Sequence, residues 1–265
     1  MFGSWRDDPG GLKERYIQAH PFEHVVINNF FTDEFAEKLY ENLPDPDDTW
    51  WAYDNPFEQK FLKTEFDSDV VRELFKTLNS TDFARVMSQV TGIGDLEPDP
   101  HLHSAGVHAY PRNGKIDIHL DYTIHPKSGR ERRVSLMIYM TKDWKPEYKG
   151  RLELWDRDIK TCTPVECSMW NTGIVFKTSE DAYHAVESVM CPKGTFRKVI
   201  GLYYLTEPRL ETLERPRYSA ELFPRPGQVI PPKLQKLYAT RRNRRLTPVD
   251  LEDWPNWREE CGLNE

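Results

Sequence analysis

The stretch Ile116-Asp117-Ile118-His119-Leu120-Asp121, answered further along by His184 and then Arg197, decides how this chain is to be read. An extended strand turns residues i and i+2 to one face, so His119 and Asp121 can point at one metal ion while Leu120 packs the other way. Two imidazoles and one carboxylate form a facial triad that leaves half of an iron coordination sphere open to substrates. His184 then has to arrive on a different strand. The segment from Phe196 to Leu205, rich in β-branched and aromatic residues, predicts a strand that holds Arg197 in a fixed direction beside that ion. A buried arginine there would grip a carboxylate.

Working outward from this stretch, the pattern from Gly106 to Leu205 is one of short strands separated by turn residues. Strands are predicted at 106–110, 116–121, 133–140, 151–155, 173–177, 183–187 and 197–205. Pro111-Arg112-Asn113-Gly114, Pro126-Lys127-Ser128-Gly129 and Asn171-Thr172-Gly173 supply the turns. About eight antiparallel strands around an internal site describe a double-stranded β-helix, a jelly-roll or cupin-like core. The expected fold class is therefore mainly β with flanking helices.

The first hundred residues predict a helical flank attached to one strand, His24 to Asn28. Helices are expected over Thr32–Leu43, capped by Thr32 and closed by Pro44, over Asp69–Leu78, and over Asp82–Val90, stopped by Gly92. Glu97-Pro98-Asp99-Pro100 would end the helical part. After Thr206 the chain is rich in proline and arginine, with a helix expected around Leu234 to Arg245. The whole chain, 1–265, is taken as one domain: flank 1–100, core 101–206 and an extension 207–265 that wraps the core.

Composition narrows the classes. The chain has 265 residues, 38% hydrophobic and 30% charged, with 25 phenylalanines and tyrosines and eight tryptophans, as expected of a soluble globular protein. A formal net charge of -7 argues against a general nucleic-acid binder. The basic run Arg241-Arg242-Asn243-Arg244-Arg245 is a local exception, expected as a solvated helix or an intersubunit salt-bridge patch. Cysteines at 162, 167, 191 and 261 show no metal-binding spacing and suggest reduced thiols in a cytoplasmic protein. No signal segment and no apolar run of about eighteen residues is present, so neither secretion nor membrane insertion is expected.

Taken in order, several motifs resemble the iron(II)/2-oxoglutarate-dependent oxygenase superfamily, and within it the prolyl 4-hydroxylase-like branch. They are Gly106-Val-His-Ala-Tyr110, Gly114 and His119-Leu-Asp121; Arg132-Arg133-Val-Ser135-Leu-Met-Ile-Tyr139-Met with Asp143-Trp144; Gly150-Arg-Leu-Glu-Leu-Trp155-Asp156; and Asn171-Thr-Gly-Ile-Val-Phe176 with His184-Ala-Val186-Glu-Ser-Val189 and Arg197. The resemblance spans roughly residues 22 to 206. It implies that His119, Asp121 and His184 bind Fe(II), that Arg197 pairs with the distal carboxylate of 2-oxoglutarate, and that Tyr110 hydrogen-bonds the same cosubstrate. Lys198 would point to the opposite face of its strand. The implied reaction uses O2 to decarboxylate 2-oxoglutarate to succinate and CO2 while hydroxylating a C–H bond in a small molecule, a sugar or a prolyl or other amino-acid side chain, with ascorbate as a reductant.

The chain departs from the family where it has Gly150-Arg151 in place of paired glycines, Ala185 in place of a glycine and Ser188 in place of a proline. Asp121 disfavours the related halogenases, which lack this carboxylate. Tyr122, Trp155 and Phe176 are candidates for lining the pocket, with packing the ordinary reading of Trp155 and Phe176, while Tyr139 and Trp144 are assigned to the core. Of His101, His103, His108 and His125, most are expected to be surface or hydrogen-bonded residues. Ordinary alternatives stand beside the assigned roles: a structural salt bridge for Arg197, a core tyrosine for Tyr110. Two other functions fit part of the pattern, a zinc-dependent cupin-like hydrolase or isomerase and a catalytically silent binding module. Substrate-reading loops are expected at 45–63, 122–131 and after Thr206. The expected partners are a small-molecule or peptide substrate, no nucleic acid, no membrane, and a second copy in a homodimer through the C-terminal extension.

Overall fold

The computed structural model describes residues 1–165, 168–228, 230–261 and 263. Cys167 therefore lies outside the described residues.

The amphipathic segments of the flank form helices where their caps place them. Asp33–Asn42 (α2) starts at Thr32, whose side chain accepts from the Phe35 amide, and Asp33 and Glu34 in its first turn complement the helix dipole. Asp69–Leu78 (α3) buries Val71, Leu74, Phe75 and Leu78 along one face. Thr81–Thr91 (α4) ends where Gly92 takes a left-handed conformation. An earlier helix, Pro9–Gln18 (α1), was not expected because Gly10 and Gly11 break the pattern. Asp8 caps it, Pro9 starts it, and Leu12 and Tyr16 anchor it.

The strands are β1 (His24–Asn28), β2 (Trp51–Asn55), β3 (Glu58–Lys63), β4 (Glu97–Pro98), β5 (Gly106–Tyr110), β6 (Lys115–Leu120), β7 (Glu131–Met140), β8 (Leu152–Trp155), β9 (Cys162–Pro164), β10 (Trp170–Lys177), β11 (His184–Val186), β12 (Arg197–Thr206) and β13 (Glu221–Leu222). They join in one antiparallel sheet of order β1-β10-β7-β12-β5-β3-β6-β11-β8-β9, with β2, β4 and β13 paired onto β3, β12 and β6. The sheet curls into a half-barrel, the double-stranded β-helix core, with helices against its outer face. Period-two alternation separates the two faces. Along β12, Ile200, Leu202 and Tyr204 pack outward against the helices in one large apolar cluster that includes Leu39, Leu74, Leu78, Phe83 and Met87. Arg197, Val199 and Tyr203 turn inward to the cavity.

Three expectations are corrected. Residues 45–63 are not simply a loop: β2 and β3 form a hairpin, and β3 lies inside the sheet between β5 and β6. Its polar sequence, Glu-Gln-Lys-Phe-Leu-Lys, hides this because one face borders a polar cavity, so the usual apolar alternation is missing. Glu97-Pro98 ends the helical flank but also adds a two-residue strand to β12. The basic run is only in part the solvated helix expected: Arg242, Arg244 and Arg245 are exposed, but Arg241 is buried. Pro232–Asn243 (the sixth helix, α6, after a short α5 at Leu210–Glu214) buries Leu234, Leu237 and Arg241. With Trp254 and Trp257 it covers Phe57 and Leu222 of the core. No helix among the described residues is long and apolar enough to cross a membrane.

Candidate active site

Strand pairing brings the triad together. His119 on β6 stands opposite His184 on β11, and Asp121 follows directly after the end of β6. His119 Nε2 lies 3.8 Å from Asp121 Oδ1, and His184 Nε2 lies 3.5 Å from Asp121 Oδ2. The ligand atoms of all three fall within 4.8 Å of one another. Ligands held at about 2.0–2.2 Å from one ion would stand roughly 3 Å apart, so a small contraction closes this set around a metal. Among the described residues it is the one His/Cys/Asp/Glu group so arranged.

Each ligand is oriented from behind. His119 Nδ1 donates to the Asp117 carbonyl at 2.9 Å, and His184 Nδ1 donates to the Ala182 carbonyl at 2.9 Å. Both Nε2 atoms are thereby left as acceptors toward the cavity, the tautomer a metal requires. Burial, reinforced by His184, pushes the His119 imidazole down to about 3. For His184, burial again lowers the value, against the opposing pull of Asp121. The two rings are therefore neutral ligands at neutral pH. Burial alone would raise Asp121, but Arg132 and the two histidines outweigh it and hold the carboxyl at about 2. Arg132 Nη2 donates to Asp121 Oδ2 at 2.7 Å, which leaves Oδ1 free to ligate.

Arg132 reaches the cavity because of a β-bulge. Tyr204 pairs with Val134 but Leu205 pairs with Arg132, so Arg133 is an extra residue in β7. The parity change turns Arg132 inward, where its guanidinium lies 3.5 Å from the Tyr203 ring centroid.

Deeper in the cavity stands Arg197, only 2% exposed, with Nε and Nη1 lacking any partner. Its guanidinium carbon is 4.8 Å from the Tyr110 ring and 4.7 Å from the Tyr139 ring, and Tyr110 is its register partner across β5 and β12. A buried charge without a carboxylate is costly unless the site is built to receive one. Among the described residues no carboxylate is paired with Nε or Nη1 of Arg197. Gly150, at φ +79°, makes the space: a Cβ there would stand 3.0 Å from Arg197 Cδ and 2.9 Å from Val189 Cγ2. Lys198 turns the other way, to Asp45 at 2.7 Å. The triad and Arg197 together border a cavity of about 80 Å³.

The remaining expected residues divide. Phe176 borders this cavity, 5.0 Å from the His184 ring, and Tyr122 lines the wider opening outside it. Trp155 does not: it packs with Ile118 and Ala185 on the opposite face, because Leu152 and Leu154 take the inward positions of β8. Tyr139, assigned to the core, instead borders the cavity beside Arg197. Trp144 packs at the edge of the apolar clusters and donates from its indole to the Lys149 carbonyl at 2.8 Å. His108 faces the cavity, buried with both ring nitrogens unpartnered, and His103 lines the opening. His101 and His125 stack on each other, and His125 Nε2 lies 3.2 Å from Asp99. Lys60 and Arg132 were missed, the first in a hairpin taken for loop and the second behind a bulge.

Comparison with known proteins bears on this geometry. A family model described as the 2OG-Fe(II) oxygenase superfamily matches residues 105–205, the segment that carries β5 to β12 with both histidines, Asp121 and Arg197. The β core of this chain is similar to that superfamily over this segment. The mouse protein named prolyl 3-hydroxylase OGFOD1 is 25% identical over 209 residues, covering 72% of this chain. The match spans 35% of that relative's own length, so it says nothing of the relative's other two thirds. Among solved structures, a Trichoplax adhaerens prolyl hydroxylase, in complex with a hypoxia inducible factor oxygen degradation domain peptide fragment, superposes with a TM-score of 0.55 at 14% identity, covering 77% of this chain and 93% of that one. A Pseudomonas putida prolyl-4-hydroxylase gives 0.50 at 14% identity, covering 76% of this chain and 100% of that one. At such identity the two structures establish the double-stranded β-helix fold and no more.

Proposed function

We propose that the protein is an Fe(II)- and 2-oxoglutarate-dependent hydroxylase. The observation that carries this reading is the convergence of His119, Asp121 and His184 in one cavity with a buried guanidinium, Arg197, whose Nε and Nη1 have no hydrogen-bond partner among the described residues. A zinc hydrolase would use the triad but give Arg197 no anion to bind, and a silent module would need neither. His119, Asp121 and His184 would hold the iron, and Arg197, flanked by Tyr110 and Tyr139, would receive the distal carboxylate of 2-oxoglutarate. When bound, iron with 2-oxoglutarate and O2 supplies the oxidising equivalent for C–H hydroxylation, yielding succinate and CO2.

The chain's own share is placement. Arg132 fixes the Asp121 carboxylate so that one oxygen faces the metal position. Phe176, Tyr139 and Val199 keep that end of the cavity apolar and narrow, which excludes water from the reacting centre. Arg197 sets the direction from which the cosubstrate enters the metal site.

The names of the relatives favour a prolyl side chain in a peptide over a sugar or a free small molecule as substrate. Ascorbate as the reductant rests on the family resemblance alone. A homodimer through the C-terminal extension, absence of nucleic acid, and a cytoplasmic location remain proposals; free Cys162, Cys191 and Cys261 support the last. The deciding experiment is iron-dependent succinate formation from 2-oxoglutarate, measured with and without prolyl peptides. Zinc-supported turnover without oxygen would overturn the reading.

A further inference from the structure

We propose that the substrate carries an anionic group, a carboxylate or a phosphate, received by Lys60, Arg241 and Arg245 at the outer end of the cavity. This rests on the hydroxylase reading and narrows its substrate class. The metal cavity adjoins a mouth of about 280 Å³ lined by Lys60, Arg132, Arg241, Arg244 and Arg245 but only two carboxylates, Glu58 and Asp121. Arg132 is taken by Asp121 at 2.7 Å, and Arg244 by Asp250 at 2.6 and 2.8 Å. Three cations are left facing one acid.

Glu58 serves two of them loosely, with Oε2 3.7 Å from Lys60 Nζ and Oε1 3.7 Å from Arg241 Nη2. Lys60 makes no hydrogen bond among the described residues; its ammonium lies 4.9 Å from the Tyr53 ring centroid, and its side chain is 12% exposed. Among the described residues Arg245 donates only to neutral hydroxyls, Tyr53 OH at 2.9 Å and Ser104 Oγ at 2.6 Å. These bonds hold the guanidinium in place without neutralising it. In a chain of net charge -7, such an excess of positive charge in a partly desolvated recess favours an anion there. Lys60 borders both the mouth and the metal cavity, so an anion on it would place neighbouring carbons beside the metal position. Arg197, which the cosubstrate would occupy, lines the inner cavity and not the mouth.

The test uses full-length, metal-free protein titrated calorimetrically with inorganic phosphate in one arm and malonate in the other, at low and moderate salt. We expect saturable binding in at least one arm, weakened about tenfold or more by Lys60→Met and by Arg245→Gln, restored by Lys60→Arg, and retained in Arg197→Met. The arm that binds identifies the group. Absence of saturable binding in both arms, binding indifferent to Lys60→Met and Arg245→Gln, or binding lost in Arg197→Met alone would overturn the proposal. Arg245 is exposed and makes only surface hydrogen bonds, so its variant decides the matter if Lys60→Met fails to fold. Because no metal or turnover is involved, failure here is distinct from failure of the hydroxylase reading, which succinate formation tests.

Discussion

The cavity has two ends built on different terms. The inner end, with the triad, Arg197, Tyr110 and Tyr139, is made almost wholly from paired strands of the β core, and its polar groups are held in fixed directions by backbone carbonyls and by register. The outer end is assembled from the β2–β3 hairpin and the C-terminal extension, and its cations are held by hydroxyls and one shared carboxylate. Rigid placement belongs where bonds are made and broken; the mouth needs only complementary charge, which tolerates exchange of the elements that supply it.

Changes at the inner end are expected to be the most damaging. Asp121→Ala should reduce succinate formation to background and abolish stoichiometric iron binding, read by metal analysis of the reconstituted protein. Retained iron at wild-type affinity would break the assignment of the inner end. Arg197→Met should raise the KM for 2-oxoglutarate about a hundredfold, corresponding to about 3 kcal/mol for a lost charge-assisted pair, with iron binding intact. Arg132→Leu should weaken iron affinity about 10- to 100-fold, as expected when support behind a ligand is removed. An effect on 2-oxoglutarate KM alone would relocate Arg132 to the cosubstrate seat.

Two controls lie away from both ends. Leu74→Ala, at a fully buried position on the inner face of α3, should lower unfolding free energy by about 2–5 kcal/mol in urea titrations without altering kinetics per folded molecule. Trp155→Phe should change neither KM nor kcat by more than about twofold and cost less than about 2 kcal/mol of stability, since the indole packs on the far face of the sheet. A large kinetic effect there would mean that the outer face influences the cavity.

The inner end was legible in the sequence because its logic is local. The i, i+2 spacing of His119 and Asp121, and the β-branched run around Arg197, state their faces directly. The helices of the flank were legible for the same reason, through caps and apolar stripes. What escaped did so where that logic is interrupted. The bulge at Arg133 reverses the parity that would have hidden Arg132, and β3 carries Glu58, Gln59 and Lys60 where an apolar alternation would have announced a strand. Tyr139 follows the inward parity of β7, but an aromatic residue in a strand carries no mark of whether it meets apolar side chains or a guanidinium. For Trp155 the ordinary packing reading is the one its position in β8 bears out, since it lies in the outer layer.

The pairing of β3 with β6 has one more consequence. Glu58 stands across from Ile116, three residues ahead of His119, and Lys60 lies two residues further along the same strand. The hairpin is thus a structural seam of the metal strand as well as a wall of the entrance. Specificity redesign by transplanting a foreign hairpin between 51 and 63 would have to preserve that seam, or the exchange would loosen the histidine it was meant to leave untouched.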